Sequence, residues 1–266
     1  MKDSFRISFI NKILCGPIAL VFFSSCEKVI DLKLNTSGSQ IVIEGDVYDQ
    51  PGPYTVKITR TVDFDESTIV PPVTGAEVEI SDNTGNTEVL TETSSGIYLT
   101  SVLQGVPGRT YTLSIKADGK NYTARSTMQS AVDIDSLFFQ KSYFGNFLQL
   151  YVEFRDQAGK ENYYHLIQNI NGVAQDVMGF TSDGLNDGQT IKFPLMSMDE
   201  ESLLNAGDTT TVWLESIDKG VYEYYRTIDR YSGQYTTPSN PVSNISNGAL
   251  GYFKACSIRK KTIICK

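Results

Sequence analysis

From Ile41 onward apolar and polar residues alternate in short runs separated by turn residues, the pattern of strands with one buried face. Ile41-Val42-Ile43-Glu44-Gly45-Asp46-Val47-Tyr48 is rich in strand formers and is broken by Pro51-Gly52-Pro53. Tyr54, Val56 and Ile58 share a face of the next strand, and Ala76–Ile80 alternates in the same way. Asp82-Asn83-Thr84-Gly85-Asn86 turns the chain into Thr87–Leu90. Strands are also predicted at Gly96–Leu99, Thr110–Ile115 and Asn121–Arg125, the last two joined by Asp118-Gly119. About seven short strands, with turn signals roughly every 8–12 residues, predict a β-sandwich of immunoglobulin or transthyretin type over residues 41–128.

The rhythm then changes. Ala131-Val132-Asp133-Ile134-Asp135-Ser136 reads as the crossing into a second domain, residues 131–266. Hairpins are predicted from Ser136–Tyr143 and Phe147–Phe154 around Gly145-Asn146, and from Asn162–Ile170 and Val173–Phe180 around Asn171-Gly172. Ser197-Met198-Asp199-Glu200 is a capping-box pattern that predicts a short helix near 198–205. Thr209–Glu215 is a strand carrying the only tryptophan, Trp213. Asp218 caps a second helix, near 218–231, in which Val221, Tyr225 and Ile228 share a face. The expected fold class is mainly β: the sandwich, followed by a mostly antiparallel β domain with one or two helices.

Ahead of the strands, Lys2, Arg6 and Lys12 precede an apolar run from Ile13 to Phe23, about eleven residues and too short to span a bilayer. Ser24-Ser25 then lead into Cys26. This is the layout of a lipoprotein export signal, with residues 1–25 removed once the Cys26 thiol carries a diacylglycerol. The alternative is an ordinary secretory signal that leaves Cys26 a free thiol. Acyl chains, at about 0.8 kcal/mol per buried CH₂, would make the membrane the first partner. Residues 26–40 form a polar tether.

Composition narrows the partners. The chain has 23 Lys and Arg against 31 Asp and Glu, a net charge of −8, and loss of the basic leader makes the rest more acidic. Nucleic-acid binding needs clustered cations, so no nucleic-acid partner is expected. Of the four cysteines, Cys15 leaves with the leader and Cys26 is the acylation site. Cys256 and Cys265 remain as an even pair in an oxidising compartment. A hairpin turning at Arg259-Lys260-Lys261 would bring them together as a disulfide; two thiols in a terminal tail is the other reading. Zinc is not expected without a CxxC pair and with a single histidine.

Motifs for catalysis are sparse. His165 lies in a predicted strand and no GxSxG elbow offers it a serine, so it reads as a packed or surface histidine. Asp63, Asp65 and Glu66 read as a solvated acidic loop. Asp183-Gly184-Leu185-Asn186-Asp187-Gly188 has a faint calcium-loop character, but Leu185 stands at a ligand position and Pro194 where a bidentate Glu belongs, so a turn explains it better. No phosphate-cradling glycine loop is present. No catalytic residue, metal or cofactor is expected. The aromatic group Phe138, Phe139, Tyr143, Phe144, Phe147, Tyr151, Tyr163 and Tyr164 is mostly core by alternation, with an exposed subset suited to sugar stacking or a protein interface.

One ordered set of segments carries a resemblance. It comprises Cys26-Glu27, Ile41-Val42-Ile43-Glu44-Gly45, Val73-Thr74-Gly75-Ala76-Glu77-Val78, Gly96-Ile97-Tyr98 and Gly105-Val106-Pro107-Gly108-Arg109-Thr110-Tyr111. It continues with Gly119–Ala124, Ile134-Asp135-Ser136, and Asn240-Pro241-Val242-Ser243-Asn244-Ile245 ahead of Gly248 and Gly251-Tyr252-Phe253. Together these resemble the Bacteroidetes lipoproteins grouped as domain of unknown function 4249. The resemblance implies lipid anchoring at the outer membrane, on its periplasmic face or at the cell surface. It also implies genes encoded beside TonB-dependent receptors, and offers no catalytic residue to carry over. The expected function is a non-enzymatic accessory or binding partner of a TonB-dependent transport system. The alternatives are a surface adhesin or glycan-binding module, with a glycan or peptide ligand, and a carboxylate-based hydrolase.

Overall fold

Burial with a period of two runs through most of the strands. In Ile41–Tyr48, Ile41, Ile43 and Val47 are buried while Val42, Glu44, Asp46 and Tyr48 on the other face are partly covered. The computed structural model describes residues 39–62, 70–142, 147–175, 177–197, 204–232 and 240–266.

In chain order the strands are β1 (Ile41–Tyr48), β2 (Thr55–Arg60), β3 (Glu77–Asp82), β4 (Thr87–Val89), β5 (Thr91–Ser94), β6 (Ile97–Leu99), β7 (Thr110–Ala117) and β8 (Lys120–Thr127). They continue with β9 (Ile134–Lys141), β10 (Leu148–Arg155), β11 (Tyr163–Ile170), β12 (Val173–Gln175), β13 (Val177–Met178), β14 (Phe180–Ser182), β15 (Thr190–Ser197) and β16 (Thr209–Ile217). Helix α1 (Lys219–Ser232) precedes the last strand, β17 (Leu250–Ile264). The chain is mainly β.

A nine-stranded sheet runs β12-β11-β16-β17-β1-β2-β6-β5, with β14 also paired to β11. Two four-stranded sheets, β4-β3-β7-β8 and β13-β15-β10-β9, accompany it. The first packs through Val78, Ile80, Leu113 and Ile115 onto Ile43, Val56, Ile58 and Phe253 of the large sheet. The second packs through Leu137, Leu150, Val152 and Phe154 onto Tyr164, Leu166, Val212 and Leu214. Phe253 and Ala255 enter the first cluster and Ile263 borders the second. All three are odd positions of β17, so both small sheets cover the same face of the large one.

The large sheet is mixed. Strand β17 lies parallel to β1 from Val42↔Leu250 to Tyr48↔Cys256, and antiparallel to β16 from Ser216↔Ser257 to Thr209↔Ile264. Side chains complete the β17 edge where β16 has ended. The Asn244 side chain bonds both the N–H and the C=O of Phe253, at 2.9 and 2.8 Å, and the Ser126 hydroxyl accepts the Ala255 N–H at 2.8 Å.

Two expectations need correction. Residues 131–266 do not form a separate second domain, because β17 pairs along β1 and the residues from Gly38 to Lys266 form one unit. Nor does the chain turn at Arg259-Lys260-Lys261: β17 runs through them unbroken. Cys256 and Cys265 are therefore nine residues apart along one extended strand, about 30 Å at a rise of ~3.3 Å per residue. Both are free, buried thiols, and a disulfide needs Cα atoms about 4.4–6.8 Å apart. The helix expected near 198–205 falls mainly on residues 198–203, outside those described, as do Cys26 and the leader.

Gly251 allows the parallel pair to close. Its φ is 95°, and a Cβ there would lie 2.0 Å from the Ile43 carbonyl oxygen. Gly251→Ala is expected to destabilise a fragment spanning residues 27–266 by at least about 2 kcal/mol in urea titration. An unchanged midpoint would show that β1 and β17 do not approach in this way.

Candidate functional site

The face of the large sheet turned away from the small sheets carries a buried charge cluster. Register sets His165 of β11 beside Glu215 of β16, and Asp46 of β1 beside Lys254 of β17. Helix α1 lies over this face, with Val221 packing on Ile217 and Cys256. Asp218 fixes the helix: Oδ1 accepts the Val221 N–H at 3.0 Å, while Oδ2 accepts the Ser126 hydroxyl at 2.6 Å and the Thr127 N–H at 2.9 Å. One carboxylate thus caps α1 and ties it to β8.

Beneath the helix, Lys254 Nζ donates to both oxygens of Glu215 at 2.8 Å and lies 3.3 Å from Asp46 Oδ1. The side chains of Lys254 and Glu215 are 3% and 0% exposed. His165 Nδ1 is 2.7 Å from Glu215 Oε2, and its ring stacks on Tyr225 at 4.2 Å between centroids. Three tyrosine rings surround the ammonium, with centroids 5.4 Å (Tyr48), 5.9 Å (Tyr225) and 5.9 Å (Tyr252) from Nζ.

Burial alone would raise the Glu215 carboxyl, but the Lys254 ammonium and the His165 hydrogen bond outweigh it and hold the group at about 2. Burial would likewise lower Lys254, yet Glu215 and then Tyr225 push it well above the usual range. For Asp46 burial prevails over the attraction of Lys254, so its carboxyl is raised. Burial also raises the phenols of Tyr48, Tyr225 and Tyr252 and the Cys256 thiol. The cluster is a tight Lys–Glu ion pair with a carboxyl raised by burial beside it, inside an aromatic wall.

Tyr48 has a second role. It lines a groove of about 500 Å³ together with Gln50, Pro51, Pro53, Tyr54, Trp213 and the Ile258–Lys260 segment of β17. Lys260 Nζ stands 5.3 Å from the Trp213 ring centroid. Arg259 is held by Asp49 at 2.7 Å and Asp133 at 3.3 Å, and Asp49 Oδ1 also accepts the Ile258 N–H at 2.9 Å. The groove opens where β1 ends and β17 continues. It offers aromatic faces beside fixed cations, a lining suited to stacking an amphipathic ligand.

A third group lies at the other end of the large sheet. Ligand oxygens of Asp156, Asp183 and Asp187 lie within 4.8 Å of one another, a spacing that can hold a metal ion. Protein donors already occupy them: Tyr164 OH at 2.5 Å and Gly188 N–H at 2.8 Å on Asp156, Gly184 N–H at 2.7 Å on Asp183, and Gly159 N–H at 2.6 Å on Asp187. These bonds account for the acidic turn as a clasp between two loops.

Of the residues singled out from sequence, His165 belongs to the buried cluster, and Asp183 and Asp187 belong to the clasp. Phe138 and Tyr151 stack on each other at 5.5 Å, Tyr164 is core, and Tyr163 packs on Tyr222 at 4.8 Å. Tyr143, Phe144, Asp63, Asp65 and Glu66 lie outside the described residues. Sequence reading missed Asp46, Glu215 and Lys254. The available signal was Lys254 itself, a lone cation in the run Gly251-Tyr252-Phe253-Lys254-Ala255-Cys256.

The fold and cluster define a mainly β protein with a helix-covered mixed sheet. The chain belongs to the family described as Domain of unknown function (DUF4249), whose sequence profile matches residues 27–262. No curated protein matches it.

The Glu215 carboxyl lies below its ordinary value of 4.5 in the folded chain. Its contribution to stability is therefore complete above the unfolded pKa and lost as pH falls through about 2. Denaturant titrations between about pH 5 and about pH 2 are expected to show a larger loss for the wild type than for Glu215→Gln. Equal losses would show that Glu215 is not held ionised by Lys254.

Proposed function

We propose that this chain is a non-enzymatic lipoprotein of a Bacteroidetes-type outer membrane, anchored through lipid on Cys26 and serving as an accessory or binding partner of a TonB-dependent transport system. The observation that carries the reading is the stretch Ile13–Cys26, a short apolar run behind basic residues that ends in small residues and a cysteine. After the tether, the chain enters the large sheet at β1, and we read the first pair of layers, β1-β2-β6 over β3-β7-β8, as a sandwich of immunoglobulin or transthyretin type. The buried cluster supports a non-enzymatic reading, because burial under α1 keeps its Lys–Glu pair from any external substrate.

A second reading, a surface glycan-binding module, is favoured by the groove lined by Tyr48, Tyr54 and Trp213. Aromatic rings beside Arg259 and Lys260 suit the apolar face and hydroxyl edge of a sugar.

Cys26→Ala is expected to move the protein from the membrane fraction to the soluble fraction. Retention in the membrane would contradict lipid anchoring. Purification of the native lipoprotein in mild detergent is expected to bring down a TonB-dependent β-barrel; isolation of the lipoprotein alone would count against the transport partnership. If the groove takes sugars, glycan-array binding by the wild type disappears in Trp213→Ala, and an array without hits disposes of that reading.

A further inference from the structure

We propose that Asp46 and Lys254 join as an intramolecular amide, an isopeptide cross-link between β1 and β17, with Glu215 carrying the proton. The geometry is that of two reactants already in place. The residues are directly opposed in the parallel register, Asp46↔Lys254, and Nζ lies 3.3 Å from Oδ1. The amine thus lies beside the carboxyl whose Cγ, bonded to Oδ1, it would attack, so the encounter of the two groups is already made. Asp46 Oδ1 is buried and makes no well-formed hydrogen bond, so its pairing rests on the Lys254 ammonium at 3.3 Å.

The surroundings favour condensation. Lys254 is 3% exposed and ringed by Tyr48, Tyr225 and Tyr252, so bulk water is kept from the amine. The Asp46 side chain is 25% exposed, which leaves a way out for the water released. Burial raises the Asp46 carboxyl, a shift toward the neutral acid that an amine can attack. Glu215 bonds Nζ through both oxygens at 2.8 Å, and His165 holds Glu215 from the far side at 2.7 Å.

In the step, a proton passes from the Lys254 ammonium to the Glu215 carboxylate along an existing hydrogen bond. The freed amine pair attacks Asp46 Cγ and forms the C–N bond. Protons lost from nitrogen pass through Glu215 to the departing hydroxyl, the C–O bond breaks, and one water leaves. The product is an amide beside a neutral Glu215, with no oxidant, reductant or cofactor required, so the Lys254–Glu215 ion pair and its acid titration belong to the chain before the link forms. Glu215 and His165 are positioning and proton-carrying groups; Asp46 and Lys254 are the partners.

The cross-link would tie the first described strand to the last. A pull on the amino-terminal tether would then pass from β1 directly to β17 instead of peeling β1 away.

Peptide mapping of the full-length protein tests this. A tryptic digest after denaturation and reduction should yield residues 34–57 joined to 231–259, one water lighter than the two peptides together, because an acylated Lys254 is not cleaved. Fragment ions should place the bond at Asp46 and Lys254. Recovery of 34–57 unjoined, together with cleavage after Lys254, would overturn the proposal, as would joining of the Lys254 peptide to 193–219, which carries Glu215. Asp46→Ala should give separate peptides, and a persisting link would remove Asp46 as the partner. Glu215→Gln, shown to be folded by circular dichroism, should lose most of the link; wild-type yield would remove Glu215 as the proton carrier. The wild-type map stands by itself if either variant fails to fold.

Discussion

The parallel pairing of β1 with β17 is the constraint from which the rest of this structure follows. A parallel pair cannot be closed by a short turn, so the two strands come from opposite ends of the described chain. Once β17 is laid beside β1, its second half has only β16 to pair with, and β16 brings β11, β12 and β14. Two apolar clusters that would otherwise be separate sandwiches thereby share one sheet. The close approach at Gly251 lets β17 lie against β1, and the side-chain bonds from Asn244 and Ser126 hold β17 on the side where no strand lies alongside.

The buried charges enforce this pairing. Taking Lys254 and Glu215 out of water carries a desolvation penalty that their mutual attraction repays only in good geometry. A slip of β17 by one residue would reverse its faces, turning Phe253 out and driving the Lys254 side chain into the cluster of Ile43, Val56 and Leu113. The cluster therefore penalises wrong registers. Helix α1 completes the arrangement by excluding water, and Asp218 anchors that helix to β8, so the seal depends on the first small sheet as well as on the large one.

Much of the strand framework was legible because it is local. Asp118-Gly119 and Asn171-Gly172 have positive φ at both positions, the hairpin geometry that their residue types signal. Asp218 read as a helix cap, and α1 begins at the next residue. The partner of β17 was not legible, because alternation states which face is buried and is silent on which strand lies alongside. Arg259-Lys260-Lys261 looked like a turn on polarity alone, yet no glycine, proline or asparagine supports one there, and the cations line an open strand edge instead. The charged cluster escaped notice for a related reason: Asp46, Glu215 and Lys254 each fall on the outward face of their own strands, and only the assembled sheet and α1 make that face an interior. The family segments acquire physical roles in the same way. Asn244 bonds Phe253, Ile245 is core, and the Tyr111 hydroxyl accepts the Val106 N–H at 2.7 Å.

These features describe a body whose first described strand is held along its last. The most direct test of that account is native-state hydrogen exchange on the protein. Amides of residues 42–48 and 250–256 should exchange together, in the slowest class, and only through global unfolding. Early exchange of 42–48, with 250–256 still protected, would show that β1 is a detachable edge and that the two halves of the chain stand independently.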